Sequence, residues 1–392
     1  MNPYIAWMAD GVVAELAAQA RATGRLGIDT EFMGEGRYRA LLCLIQVAVE
    51  TDDGVRVEVL DPLTEAFDPA PLAVLLADPE VQVVMHAGRQ DVALLRREWS
   101  TELNAIFDTQ VAAGFAGLRA QLGYEALLHE MVGVRLRKSA SFTRWDTRPL
   151  SAEQVGYARE DVLHLLQLAD ALQDTLRDRG RLDWALEECR SLEDASDERE
   201  PETIFHRLPR VNSLEPSQRA VAFELVRWRE ETARETDRPV PSVLADAALV
   251  EVAKRRPSSL ERLAQIRGLN ESTLRRRGRV ILEVVGRGRE REPIPVDGDR
   301  PTPTDAKDAP LIALGEALVR ARASEAELAY ELIAARADLQ RIVTAVRTSG
   351  DEPDVRTLQG WRRAVVGAEL LELLQGRRSL RVGRGRTIEV DP

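Results

Sequence analysis

Cysteine and histidine are scarce. The 392 residues include two cysteines, Cys43 and Cys189, and four histidines. Two distant cysteines in no CxxC pattern exclude a disulfide framework and a structural zinc site, and they point to a reducing, cytoplasmic setting. With so few histidines, any metal would be held by carboxylates. Long apolar runs are missing as well. None approaches the ~18–20 residues needed to cross a bilayer, so no membrane partner is expected. The opening MNPYIAWMADG has no basic region followed by an apolar stretch, and it does not read as a secretory signal.

What is present fits folded soluble domains: 44% hydrophobic and 30% charged residues. At roughly 150 residues per domain, the length suggests two or three domains. The net charge of −11 is unevenly spread. Residues 1–206 carry 20 Lys and Arg against 36 Asp and Glu; residues 207–290 carry 18 against 12; residues 291–392 carry 16 against 17. An acidic first half joined to a basic module suits an enzyme with carboxylate-bound cations and a nucleic-acid-binding appendage. Charge drift between domains for solubility alone is the plainer alternative.

Period-two alternation in RLGIDTEF, an apolar run at 41–50, and alternation again at 55–61 around the turn DDG predict three antiparallel strands. A helix at 69–77, a strand at 81–87 and further helices follow, one of them FDTQVAAGFAG and one long, from about 152 to 180. Ser151 and Gln154 form a capping box at the start of that long helix. Strands early and helices later predict an α/β layer with a mixed sheet. The acidic stretch 191–204 reads as a linker or surface excursion, 213–287 as all-helical, 287–310 as a Pro/Gly-rich linker and 311–375 as helical again.

Asp29 and Glu31 are two apart on a strand, so both carboxylates lie on one face. Adjacent acids repel, and oxygen-only ligation suits magnesium or manganese; a solvent-facing edge is the alternative. Tyr157 and Asp161 are one helical turn apart on one face, and Asp161 heads an apolar run. Asp91 follows a strand and enters a helix, where macrodipole complementarity alone would also explain an acid. Taken together the four acids make chemical sense. Phosphodiester hydrolysis needs an activated water and a stabilised leaving oxygen. Two divalent cations roughly 3.5–4 Å apart supply both, and a nearby tyrosine hydroxyl can orient the water.

The order IDTEF (28–32), LCLIQVA (42–48), HAGRQDVALL (86–95), FDTQVAA (107–113) and RPLSAEQVGYAREDVLHLL (148–166) resembles the ribonuclease D family of 3′–5′ exonucleases, in the tyrosine subtype of the DEDD superfamily. Residues 213–287 are similar to the helicase-and-ribonuclease-D C-terminal (HRDC) domain. LQGWRRAVVGAELLELLQG (358–376) resembles the end of ribonuclease D chains, which would make 311–376 a second such unit. The resemblance implies a ribonuclease H-like exonuclease domain over 1–206, an HRDC domain over 207–290, a linker over 291–310, a second HRDC-like domain over 311–376 and a basic tail over 377–392.

It further implies that Asp29, Glu31, Asp91 and Asp161 hold two Mg2+ or Mn2+ ions, that Tyr157 positions the water, and that His86 and Gln90 line or support the site. Asp108 also matches a family residue; it reads as the N-cap of the FDTQ helix. The implied substrate is the 3′ end of tRNA precursors or other stable RNA, with nucleoside 5′-monophosphates released. DNA remains an alternative, as does a catalytically silent nucleic-acid-binding scaffold. No obligate protein partner is implied.

Two departures from the family are visible. Arg144 precedes Trp145 and Asp146 follows it, where the family usually has an acid before the tryptophan. Arg39-Ala40 replaces the usual aromatic and proline, which bears on how the terminal nucleotide stacks. Lys138, Arg144, Trp145 and Arg148 suit phosphate contacts and base stacking. Arg275, Arg276 and Arg277, beside a Gly-Leu-Asn turn, suit backbone phosphates, with a solvated face as the alternative. The tail (Arg377, Arg378, Arg381, Arg384, Arg386) reads as disordered or as added phosphate affinity.

Overall fold

A computed structural model describes residues 11–119, 121–136, 144–296, 307–348, 350–385 and 387–391. Helix α1 (Val12–Thr23) leads into β1 (Arg25–Met33), β2 (Leu41–Thr51) and β3 (Gly54–Leu60), which pair antiparallel. Then come α2 (Ala70–Leu76), β4 (Gln82–Met85), α3 (Arg89–Trp99), β5 (Ile106–Asp108) and α4 (Thr109–Phe115). β4 and β5 run parallel to β1, giving the mixed sheet order β3-β2-β1-β4-β5. The unbroken apolar run of β2 is explained by its place: Leu42–Val49 are all buried, because helices cover both faces.

The first domain continues with α5 (Tyr124–Val132), α6 (Ala152–Leu163), α7 (Leu165–Asp178) and α8 (Leu182–Glu193). The predicted helix over 152–180 is therefore two helices that meet at His164. The break separates α6, which lies on β1–β3, from α7, which packs on β1 and β4. Gly27 permits the close approach of α7: a β-carbon there would sit 3.4 Å from Leu165. The FDTQ segment also differs from the expectation. Its first residues form the short parallel strand β5, and only then does α4 begin.

Helix α9 (Pro201–Arg207) belongs to the next domain, since Phe205 packs with Phe223 and under Arg219. The crossover therefore lies ahead of α9 and not at residue 206, and half of the stretch read as a linker over 191–204 is helix, the end of α8 and the start of α9. That domain contains α10 (Pro216–Glu235), α11 (Val240–Val243), α12 (Asp246–Arg255), α13 (Leu260–Ala264) and α14 (Glu271–Glu290). The last domain contains α15 (Asp308–Glu325), α16 (Tyr330–Ile333), α17 (Arg336–Thr348), α18 (Gly360–Arg362), a wide turn of helix at Arg363–Gly367 and α19 (Ala368–Leu374).

The two helical domains repeat one path at an offset of 90 residues. Asp237 (φ 44°) and Glu327 (φ 48°) end their long helices with the same left-handed turn. The Arg238 N–H donates to the Ala233 carbonyl at 2.9 Å, and the Leu328 N–H to the Ala323 carbonyl at 2.9 Å. A four-residue helix and an extended pair follow in each. Residues 377–385 and 387–391 are not a loose basic tail. β6 (Ser379–Val382) and β7 (Ile388–Asp391) form a hairpin, and Arg381 pairs with Glu389 at 2.5 Å and Asp391 at 2.7 Å. Arg386 lies outside the described residues. Among the described residues no helix is long and apolar enough to cross a membrane.

The domains are joined unequally. The last one shares a core with the first: Trp361 stacks on Trp184 (5.5 Å, 17°) and meets Phe115 edge-on at 5.0 Å, while Arg362 bonds Glu188 at 2.6 Å. The first helical domain is held by a smaller latch. Tyr38 packs against Ala233, Val240 and Val243, Arg37 pairs with Asp237 at 2.8 Å, and Arg199 pairs with Glu230 at 2.9 Å.

Candidate active site

Strand β1 pairs with β4 only as far as Gly27 and with β2 beyond it. Its second half therefore has an open edge on that side, where Thr30 meets Asp91 of the first turn of α3. Asp29 and Glu31 stand opposite Gln46 and Leu44, on the face covered by α6, and the β1–β2 register shifts directly after Glu31. Such a bulge re-aims the side chains beside it. From α6, Tyr157 and Asp161 point to the same face, and the Tyr157 hydroxyl donates to the Asp161 carboxylate. From α3, Asp91 accepts the Thr30 hydroxyl. The four acids predicted from three separate segments thus come together.

Their electrostatics show the convergence. Burial pushes the Asp29 carboxyl well up, and the negative charges of Asp91, Asp161 and Glu31 push it further. Burial, then Asp161 and Asp91, push Glu31 up to about 8. Burial, then Glu160, push Asp161 up to about 7 against the lowering bond from Tyr157. Burial raises Asp91 also, opposed by the Thr30 bond. Tyr157 is raised by burial, then by Asp161, Glu31 and Asp29, so it stays a protonated donor at neutral pH. Among the described residues none of the four acids has a basic partner. An unpaired buried charge is costly, and a bound cation is the ordinary remedy. The side chains as they stand are not drawn onto one point: among the described residues no three His, Cys, Asp or Glu side chains converge to ligation distance. Asp91 is turned to Thr30 and Asp161 to Tyr157. The donor set, oxygen-only and four-fold acidic, fits hard divalent cations.

Supporting residues fix this geometry. Asp108 is the N-cap of α4, as its sequence position suggests: Oδ1 accepts from Gln110 N at 2.8 Å and Val111 N at 3.2 Å. It also binds the turn ahead of α3, through Ala87 N at 3.2 Å and Gly88 N at 2.8 Å. His86 holds Thr109 Oγ1 at 2.9 Å, and its ring lies 5.5 Å from Tyr124. Burial lowers its pKa and keeps it neutral. Gln90 is exposed at the start of α3. The capping box of α6 is formed in both directions, at 3.1 and 3.0 Å.

Several residues expected to meet nucleic acid are turned inward. Arg148 spends its donors on Asp61 (2.6 and 2.8 Å) and on the carbonyls of Trp145 and Cys43 (2.6 and 2.8 Å). It ties the entry of α6 to the sheet. Trp145 is 3% exposed and backs the Tyr157 ring at 6.0 Å, so it offers no free face to a base. Arg277 donates to the Ser242 carbonyl at 2.9 Å. Arg144 is exposed and pairs with Asp146 at 3.0 Å, while Arg275 and Arg276 are exposed on α14. Lys138 lies outside the described residues. Sequence reasoning missed Thr30, Asp61 and Tyr124. The first two act through partners 61 and 87 positions away, which no local pattern reveals.

Residues 9–177 match the family described as 3′–5′ exonuclease, and residues 218–285 match the HRDC domain. Ribonuclease D of Gluconacetobacter diazotrophicus is 38% identical over 365 residues, spanning 91% of this chain and 89% of that protein. The chain belongs to the ribonuclease D family. Ribonuclease D of Acidiphilium cryptum is 35% identical over 385 residues, 96% of this chain and 94% of its own. The crystal structure of Escherichia coli RNase D, an exoribonuclease involved in structured RNA processing, matches with a TM-score of 0.81 at 29% identity, over 96% of this chain and 99% of that one. Membership in the ribonuclease D family makes the chain a 3′–5′ exoribonuclease, a phosphodiester hydrolase of the DEDD superfamily. Its superfamily depends on divalent metal, and ribonuclease D acts on RNA.

Proposed function

We propose that Asp29, Glu31, Asp91 and Asp161 hold two Mg2+ or Mn2+ ions and that the chain removes nucleoside 5′-monophosphates from the 3′ end of RNA, tRNA precursors or other stable RNA among them. The observation that carries this reading is the convergence of four buried or half-buried acids drawn from β1, α3 and α6: Asp29 feels the charges of Asp91, Asp161 and Glu31, and Glu31 those of Asp161 and Asp91. When bound, the ions supply charge stabilisation of the phosphate and a nucleophile at neutral pH. The protein's own side chains do the rest. Tyr157, held protonated beside Asp161, orients the attacking water by hydrogen bonding. Thr30 fixes the rotamer of Asp91, and Asp108 fixes the turn that presents it. Arg148 and Trp145 set the depth of α6 and so of Tyr157.

Exposed Arg144, Arg275 and Arg276 are the proposed phosphate contacts, and residues 311–376 the proposed second HRDC-like unit, supported by the 90-residue structural repeat. Digestion of matched 5′-labelled RNA and DNA oligonucleotides, with Mg2+, Mn2+ or chelator, tests the reading. Stepwise shortening of RNA with metal and none with chelator is expected. Shortening of DNA alone would transfer the site to DNA, and no shortening of either would refute catalysis.

A further inference from the structure

The buried stretch Leu42–Val49 of β2 carries one amide, Gln46, which is 0% exposed. Among the described residues neither its Oε1 nor its Nε2 has a hydrogen-bond partner, and no other side chain there has two buried polar atoms in that state. A buried amide left unpaired is costly, and an apolar side chain of the same length would fill the space without that cost. Its surroundings limit what it can serve. In the antiparallel register Gln46 stands opposite Asp29 of β1 and Val59 of β3. Residues so placed share a face, with β-carbons about 4.5–5.5 Å apart. Leu44 and Ala48 are its neighbours along β2 on that face. Val155 and Ala158 of α6 cover this part of the sheet. Of these neighbours Asp29 alone is polar. The other aspartates of the site each have a side-chain donor: Asp91 accepts the Thr30 hydroxyl and Asp161 the Tyr157 hydroxyl. Among the described residues no side chain donates to Asp29.

We propose that Gln46 is a positioning residue, whose amide N–H donates to the Asp29 carboxylate and fixes the rotamer in which Asp29 holds a cation. The assignment rests on the reading of the four acids as cation ligands. A ligating carboxylate keeps unused lone pairs, and a donor behind it sets its orientation and raises the affinity of the site. Among the neighbours just named, the amide is placed for that bond and for no other. Gln46 thereby does for Asp29 what Thr30 does for Asp91, from the strand on the opposite side of β1.

The test uses the full-length protein, with Mn2+ alone in titration calorimetry and with Mn2+ and RNA in steady-state digestion. Gln46→Met removes the amide and keeps the length of the side chain. It should weaken Mn2+ binding about tenfold or more. At saturating Mn2+ it should lower kcat and leave the KM for RNA within about twofold. The metal-free Tm should stay level or rise, since no amide is left unpaired. Leu44→Met alters the same face without touching an amide and should leave Mn2+ affinity unchanged. In an Asp29→Asn background Gln46→Met should add little further loss of Mn2+ binding. Gln46→Leu keeps the test valid if Gln46→Met misfolds. Unchanged Mn2+ affinity in the apolar variants, an equal loss in Leu44→Met, or an undiminished loss in the Asp29→Asn background would overturn the role of Gln46. A wild type that binds no Mn2+ would overturn the cation-site reading itself, and this role with it.

Discussion

The carboxylate of Asp108 binds the backbone of Gly88: Oδ2 accepts the Gly88 N–H at 2.8 Å while Oδ1 caps α4. One buried side chain thus ties the end of β5 to the turn that delivers Asp91. Asp108→Ala would leave several buried N–H donors unpaired and should cost about 2–4 kcal/mol. With the helix start displaced, kcat should fall while KM for RNA changes little. Denaturant unfolding and steady-state kinetics check both; unchanged kcat at lower stability would confine Asp108 to a purely structural role.

Asp29→Asn and Asp161→Asn should lower the rate of RNA hydrolysis roughly a thousandfold or more, because each removes a proposed cation ligand where charge develops. RNA affinity in chelator should stay near that of the wild type. Gel-shift and digestion assays on the same preparations separate the two effects.

The raised acids give stability a definite pH dependence. Glu31, pushed up to about 8, and Asp161, up to about 7, bind more protons folded than unfolded between their ordinary values and these. Their contribution to stability therefore falls as pH rises from about 4.5 to 8 in metal-free protein. Glu31→Gln should raise the metal-free Tm at pH 8 by a few degrees. Mn2+ should stabilise the wild type more than this variant, and its affinity should strengthen from pH 6 to 8 as protons are displaced. Scanning calorimetry with and without Mn2+ reads all three.

Trp361 joins the last domain to the first. Trp361→Ala should cost about 3–5 kcal/mol, since it removes the stack on Trp184 and the edge contact to Phe115. Melting should remain a single transition, because the two domains share one core. A separate early transition for the last domain would contradict that shared core.

Much of this site is legible in local sequence, because local rules govern it. The Asp29–Glu31 spacing on a strand, the Tyr157–Asp161 turn of helix, the Ser151–Gln154 box and the Asp108 cap each need only their neighbours. β5 escaped because three residues, Ile106–Asp108, are too few to show a period before α4 begins. The break at His164 escaped because neither proline nor glycine marks it; packing on two different parts of the sheet imposes it. Arg148 and Trp145 read as nucleic-acid contacts by type, yet their partners, Asp61 and Tyr157, lie in other elements. The tail reads as loose because its charges look unbalanced until Glu389 and Asp391 fold back onto Arg381.

The central claim is that acids from β1, α3 and α6 form one cation-binding site. Anomalous scattering from crystals soaked in Mn2+ tests it most directly. Two peaks enclosed by Asp29, Glu31, Asp91 and Asp161 are expected, both lost in Asp29→Asn. No anomalous density among these side chains at saturating Mn2+ would contradict the account.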